Sequence, residues 1–311
     1  MRTLVVGGTG LIGQYAVREL LRRGHTVRVL ARREPEPGSL PNGVSFVRAD
    51  MVSGELGPAL SGIDGLVHAA GADPRLVARG SALAFFRRVN VDASARLFAA
   101  ARQAGVRRAV FVTSFFHAIE PELVTTQPYM RSRAESEDAA LAAAGEELAL
   151  SILQPSWVIG RLHGRVSLPG ALVRYVRSPS PLFGPVGGSN FIAAASLAEA
   201  IAAAVERGEA RQRHVVGDEN LSWTDIIERF AAAAGRPRRV RKVQASVLAP
   251  LGVGARLLTR LVRRETGVDP AFVTQLFSRD FFCDASPAEQ ALGYARGNLA
   301  TAIAEAVAAS V

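Results

Sequence analysis

The strongest constraint in this sequence is a short one. Gly7-Gly8-Thr9-Gly10-Leu11-Ile12-Gly13 lies between an apolar run, Thr3–Val6, and a stretch with helical spacing, Leu11–Arg23, that closes at Gly24. Four glycines in seven residues, with a strand pattern before them and a helix pattern after, predict a sharp strand-to-helix turn. The first glycines permit the turn, Gly10 keeps a Cβ away from anything approaching the backbone, and Gly13 allows close packing of the helix. A helix opening at such a turn presents free N–H groups and the positive end of its dipole, which suits an anionic ligand.

The same alternation continues downstream. Strand patterns are read at Thr26–Leu30, Val44–Val47, Gly65–Ala69, Ala109–Thr113 and Leu148–Leu153, and helical patterns at Phe85–Ala104 and Tyr129–Ala144. Most of the strand runs are apolar without alternation, as strands buried on both faces are. The expectation is an α/β fold, a doubly wound parallel sheet with helices on both faces. After Pro155 the pattern changes. Glycine and proline punctuate residues 160–190, read as loops over a cleft, and helices return at Leu197–Arg207, Trp223–Ala234 and Leu299–Val307. The division expected is residues 1–155 for nucleotide binding and 156–311 for a smaller substrate-binding region interleaved with the core.

Gly8, Gly10 and Gly13 satisfy G-x-G-x-x-G in the strand–turn–helix context that a dinucleotide site requires. The end of the second strand selects the cofactor. An NAD site places a carboxylate there to hold the ribose hydroxyls, whereas this chain has Ala31-Arg32-Arg33. Arginine binds a phosphate bidentately, so NADP(H) is expected.

These residues resemble the extended and atypical short-chain dehydrogenase/reductase superfamily, in its epimerase/dehydratase-like and 3-beta-hydroxysteroid-dehydrogenase-like branch. The resemblance covers nearly the whole chain and implies a Rossmann-type fold. Within Gly7–Gly13 it implies cofactor contacts at Gly7, Thr9, Gly10, Leu11, Ile12 and Gly13. Ala49-Asp50, with Met51 beside it, matches the position that meets adenine. His68-Ala69-Ala70-Gly71 resembles the motif lying along the ribose, which gives Ala69, Ala70 and Gly71. Asn90 matches the family's asparagine. Thr113-Ser114 ends the fifth strand, where the family has its catalytic hydroxyl, on Ser114. Gln154-Pro155-Ser156-Trp157 resembles the segment lining nicotinamide and substrate, which adds Gln154, Pro155 and Trp157.

The family's decisive motif is tyrosine followed four residues later by lysine. Here it is Tyr129 and Arg133, and the only lysine of the chain is Lys242. A spacing of four puts both on one helix face. A phenol needs a nearby cation to act as an acid–base group at neutral pH, and arginine supplies that charge but cannot release a proton. His117 is a candidate replacement donor. The separation of 15 between Ser114 and Tyr129 is short for sugar-modifying members.

Composition narrows the rest. One cysteine, Cys283, excludes an internal disulfide framework and a cysteine-cluster metal site, and no metal is expected. Nine basic and no acidic residues lie between Arg236 and Arg264, and the remainder of the chain balances, so the net charge of +9 is local. Arg256, Arg260, Arg263 and Arg264 interleave with Leu257, Leu258, Leu261 and Val262. The leading reading is a solvated helix whose apolar side covers the core, ahead of an anionic ligand and of membrane contact. No aromatic residue lies in that stretch, which argues against nucleic acid. No apolar run is long enough to cross a membrane, and a cytoplasmic location is expected.

Three readings follow. The leading one is an NADPH-dependent reductase of a carbonyl on an apolar small molecule, its cleft lined by Trp157, Val158, Leu162, Phe183 and Phe191, with Arg161, His163 and Arg165 toward a polar end. The second, motivated by the missing lysine, is a non-catalytic NADP(H)-binding sensor or assembly factor. The third is an NAD(P)-dependent epimerase, dehydratase or isomerase.

Overall fold

The computed structural model describes residues 1–162, 168–262 and 264–309. Seven parallel strands form the central sheet, in the spatial order Arg213–Val216, Ala149–Pro155, Arg108–Val112, Gly65–His68, Arg2–Val6, Thr26–Ala31 and Ser45–Arg48. Side chains alternate across a strand, so Leu4 and Val6 enter one core layer and Val5 the other. The first layer packs Leu4, Val6, Leu66 and Phe111 under Leu97 and Phe98 of the Ala93–Gln103 helix and Ala140 and Leu141 of the Pro128–Ala144 helix. The second packs Val5, Val67 and Val110 against Ala16, Val17 and Leu20 of the Leu11–Arg22 helix and the Ala194–Arg207 helix.

The C-terminal region is threaded into this sheet. Its Arg213–Val216 strand forms the edge beside Ala149–Pro155, while Gly188–Ala193, Glu219–Ser222, Asp280–Phe281 and Trp157–Ile159 form a smaller sheet above it. A third cluster, including Ile159, Phe191, Phe230, Leu299 and Ile303, holds this upper part together.

Three expectations are corrected. The helical pattern at 85–104 is not one α-helix: Ala82–Phe86 and Ala93–Gln103 are joined by a π-helical turn, Arg87–Asp92. Residues 160–190 are not simply loops, since they contain a helix at Leu168–Arg177 and strands at Phe183–Pro185 and Gly188–Ala193. Pro179, Pro181 and Gly187 fall between these elements, while Pro169, Gly170, Gly184, Pro185 and Gly188 lie inside them.

The third correction concerns the basic stretch. Ala245–Leu261 is a helix, but its apolar side does not cover the core. Only Gly252 is buried, while Val247, Leu251, Val253, Leu257, Leu258, Leu261 and the following Val262 are exposed. The inward side carries Ala245, Leu248, Ala249, Gly252, Arg256 and Thr259, mostly small or polar residues. A Cβ on Gly252 would stand 2.7 Å from the Pro270 carbonyl oxygen, so glycine there lets this outer helix lie against the short Pro270–Leu276 helix.

Candidate active site

The segments singled out as ligand-binding gather at one place because parallel strands all end on the same edge. Gly7 follows Arg2–Val6, Arg32 follows Thr26–Ala31, Ala49 follows Ser45–Arg48, Ala69 follows Gly65–His68, and Thr113-Ser114 follow Arg108–Val112. The crevice at the carboxyl ends of such strands is where open α/β sheets bind ligands.

The glycine loop is shaped by exclusion. Gly7 has φ +84°, and a Cβ there would meet the Ala70 nitrogen at 2.9 Å. One on Gly8 would meet Val29 at 2.6 Å, and one on Gly13 would strike the Gly7 carbonyl and stand 2.6 Å from the Gly8 Cα. The Gly10 amide donates to the Gly7 carbonyl (2.9 Å), and the helix starts at Leu11 with neither a side-chain cap nor an acidic residue in its first turn. Such an uncapped start suits an anion. Arg32 and Arg33 are both exposed, and among the described residues neither is in an ion pair. One Asp50 oxygen accepts from the Val52 amide (2.9 Å), which fixes the Asp50–Met51 turn.

Tyr129 and Arg133 lie on one face of the Pro128–Ala144 helix, as their spacing requires. Arg133 Nε donates to Tyr129 Oη at 3.3 Å, and the guanidinium carbon stands 5.6 Å from the ring centroid. Both residues are buried. The guanidinium crosses to the far side of the crevice: a Cβ on Gly71 would come within 3.0 Å of Arg133 Nη1. That nitrogen is buried and has no hydrogen-bond partner. An unpartnered buried donor costs free energy, so its position over the ribose-side motif is an observation in favour of a bound acceptor.

Asn90, from the π-helical turn, braces this arrangement. Its Oδ1 accepts from the Ala72 amide (2.8 Å), and its Nδ2 donates to Ser132 Oγ (3.0 Å), which donates to the Tyr129 carbonyl (2.7 Å). The Tyr129 amide donates to the Gly267 carbonyl (2.8 Å), and Gln127 Oε1 accepts from the Asp269 amide (2.9 Å), tying the start of the tyrosine helix to the C-terminal region.

The sequence reading missed Glu137. It continues the face of Tyr129 and Arg133 by one more turn, a spacing that was legible, yet it does not pair with Arg133. Its carboxylate is buried and accepts from Thr113 Oγ1 (2.6 Å), from Gln154 Nε2 (3.0 Å) and from Arg213 Nε (3.0 Å), with His117 Nε2 at 2.9 Å. Burial pushes this carboxyl up, but the bonds from His117, Thr113 and Gln154 outweigh it and hold the group below the usual carboxylate range. Thr113, Gln154 and His117 therefore have internal partners, while no hydrogen bond engages Ser114 among the described residues. His117 Nδ1 stays buried and unpartnered. His68, also near the crevice, is driven down to about 3 by complete burial and by the Arg133 charge, so it is a neutral core residue.

The expected cleft lining needs correction. Phe191 is buried beneath Trp223 (5.4 Å between rings), and Phe183 is exposed on the outside. Trp157 instead joins an aromatic cluster with Phe116 (5.8 Å), Trp223 (5.4 Å) and Phe277 (6.4 Å), and Phe116 meets the buried Phe281. Apart from Trp157, which the sequence singles out, these come from widely separated segments, so no local pattern announced them. Pro155 is a strand residue whose carbonyl accepts from the Phe115 amide (3.2 Å). His163 and Arg165 lie outside the described residues, and Arg161 is exposed.

Comparison with known proteins agrees with this geometry. The sequence model of the NAD-dependent epimerase/dehydratase family matches residues 3–217. A Synechocystis protein provisionally named dihydroflavonol 4-reductase is 28% identical, over 97% of this chain and 92% of its own length. Sterol demethylase protein B of Methylococcus capsulatus is 30% identical, over 76% of each. The crystal structure of gox2253 superposes with a TM-score of 0.80 at 25% identity, covering 99% of this chain and 97% of that one. With a glycine-shaped turn, an uncapped helix start and a buried cation beside Gly71, the chain belongs to the NAD-dependent epimerase/dehydratase family and has the Rossmann-type fold of its members.

Proposed function

We propose that the protein is an NADPH-dependent reductase of a ketone or related carbonyl on an apolar small molecule. The observation that carries this reading is the buried Arg133, with Nε on Tyr129 Oη and Nη1 unpartnered beside Gly71. The residues fit a dinucleotide: the 7–13 loop would cradle its pyrophosphate, Asp50 and Met51 its adenine side, and Ala69 to Gly71 its ribose side. Arg32 and Arg33 would grip a 2′-phosphate. When bound, the reduced nicotinamide supplies a hydride.

The chain's own residues supply the proton. Because Tyr129 Oη accepts from Arg133, its hydroxyl hydrogen is free to be donated to the substrate oxygen. As that proton leaves, the fixed guanidinium charge 3.3 Å away stabilises the phenolate left behind. Ser114, with no internal bond, is available to orient the carbonyl. Arginine keeps its protons at working pH, so Tyr129 must regain its own from water. The aromatic cluster that Trp157 forms with Phe116, Trp223 and Phe277 supports an apolar substrate body.

Parallel titrations with NADPH and NADH test the cofactor half. Expected is NADH binding at least about tenfold weaker, about 1.4 kcal/mol, with the gap lost in Arg32→Ala/Arg33→Ala. Equal binding of the two sinks the arginine argument. A ketone panel tests the chemistry: Tyr129→Phe should lower kcat by about 10²- to 10⁴-fold, and Arg133→Lys should retain more activity than Arg133→Gln. Unchanged turnover in Tyr129→Phe removes this residue from the reaction.

A further inference from the structure

The positive charge of the chain and its exposed apolar surface coincide in one place, and the proposed reaction uses neither. Among the described residues, nine of the twelve large exposed hydrophobics are Val247, Leu251, Val253, Leu257, Leu258, Leu261 and Val262 of the outer helix and its end, with Leu76 and Val77. The last two belong to the same surface, because Val77–Arg79 pairs antiparallel with Arg264–Thr266. Leu251 is 71% exposed and Leu261 81%, values a monomer in water rarely collects in one contiguous patch. At helical spacing, Val247, Leu251, Leu257, Leu258 and Leu261 share one arc with no polar residue on it. Basic residues stand at both ends: Arg239, Arg241 and Lys242 before the helix, Arg260 and Arg264 at its close, all exposed and, among the described residues, in no ion pair. Others of the stretch turn inward: Arg256 pairs with Asp269 at 3.5 Å, Arg236 donates to the Arg177 carbonyl, and Arg238 donates to the Ser178 and Ser180 carbonyls.

We propose that this outer helix docks the protein on an anionic membrane surface, lying flat with its apolar arc in the lipid and its arginines among the headgroups. Charge complementarity selects this occupant. A second copy is disfavoured because an isologous contact would bring two sets of arginines together, and the acids beside the patch are already engaged, Glu265 by the Ala82 amide and Asp269 by Arg256. None of the described helices is long and apolar enough to cross a membrane, so the contact is peripheral.

The docked face lies one helix away from the tyrosine. The outer helix rests through Gly252 on Pro270–Leu276, whose Leu276 packs in the same cluster as Tyr129, Phe86 and Phe115. Resting on the carbonyl-reductase reading, the consequence is that the substrate is a lipid-soluble carbonyl compound delivered from the bilayer.

Vesicle flotation tests the docking without turnover. The full chain should float with phosphatidylcholine vesicles holding about 30% phosphatidylglycerol, at least about tenfold better than with phosphatidylcholine alone, and salt should weaken it. Leu251→Gln/Leu258→Gln/Leu261→Gln should abolish flotation while leaving circular dichroism and NADPH binding unchanged. Tyr129→Phe should float as the parent does, so loss of the enzymatic reading leaves the docking standing. Absence of flotation overturns the proposal, as does equal flotation with neutral vesicles or with the triple variant. A dimer in solution that the triple variant dissociates, with no flotation, would assign the face to a second copy instead.

Discussion

Two helices of nearly the same alphabet have opposite fates in this molecule. Ala194–Arg207 and Ala245–Leu261 are both rich in alanine and aliphatic residues. The first is buried at Ala194, Ser196, Leu197, Ala198 and from Ala200 to Val205, packed on the sheet beside the Leu11–Arg22 helix. The second buries Gly252 alone and turns Leu251, Leu257, Leu258 and Leu261 outward. Amphipathic spacing says that a helix has an apolar face; it does not say what stands opposite that face. For the first helix it is a seven-stranded sheet. For the second it is only a short helix, reached through the small side.

The contrast can be broken by mutation. Ile201→Ala, at a fully buried position, should cost about 2–5 kcal/mol in urea unfolding. A cost below about 1 kcal/mol would mean that the Ala194–Arg207 helix is not the packed element described.

Acid should sharpen the contrast next, because a neutral histidine lies in the core and none lies in the outer helix. His68 is stacked on Phe111 at 4.7 Å with Ser94 Oγ on Nε2 at 2.9 Å, and its pKa is lowered from 6.5 to about 3. The unfolded chain takes up that proton first, so the stability His68 contributes is fully present above about pH 6.5 and is lost progressively as pH falls toward about 3. His68→Gln should cost about 1–3 kcal/mol at pH 7 yet flatten this part of the Tm–pH curve. An unchanged slope would assign the acid sensitivity to other groups.

A smaller effect separates two glycines of the outer helix. Gly252→Val, whose Cβ meets the Pro270 carbonyl, should cost about 1–3 kcal/mol and weaken flotation by shifting the helix. Gly254→Ala points into open space and should stabilise by about 0.5–1 kcal/mol. Equal effects would mean that Gly252 is not the crossing point. Smallest of all, Leu258→Ala should stay within about 0.5 kcal/mol. A core-like cost would show that this leucine has a neighbour after all.

Much of the site was legible because its pieces are local. The glycine turn, the Arg32-Arg33 pair at a strand end and the Tyr129–Arg133 spacing each depend on a few consecutive residues. Glu137 was readable in the same register but was passed over, because a glutamate on a helix reads as solvated until Thr113, Gln154, His117 and Arg213 close around it from four other segments. The π-helical turn at Asn90 had no signature either, since one extra residue in a helix leaves the apolar pattern nearly intact.

By itself, the sequence determined where strands and helices alternate, where the backbone has no room for a Cβ, and which charged and phenolic groups recur one helical turn apart, because backbone sterics and helical period act over a few residues. Only the tertiary structure decided that Arg133 reaches across to Gly71, that Glu137 is caged, that an aromatic cluster gathers around Trp157 from distant segments, and that the outer helix shows four of its leucines to the surroundings. Those outcomes depend on which layer stands opposite each face, and that is set by how distant segments compete for the same sheet.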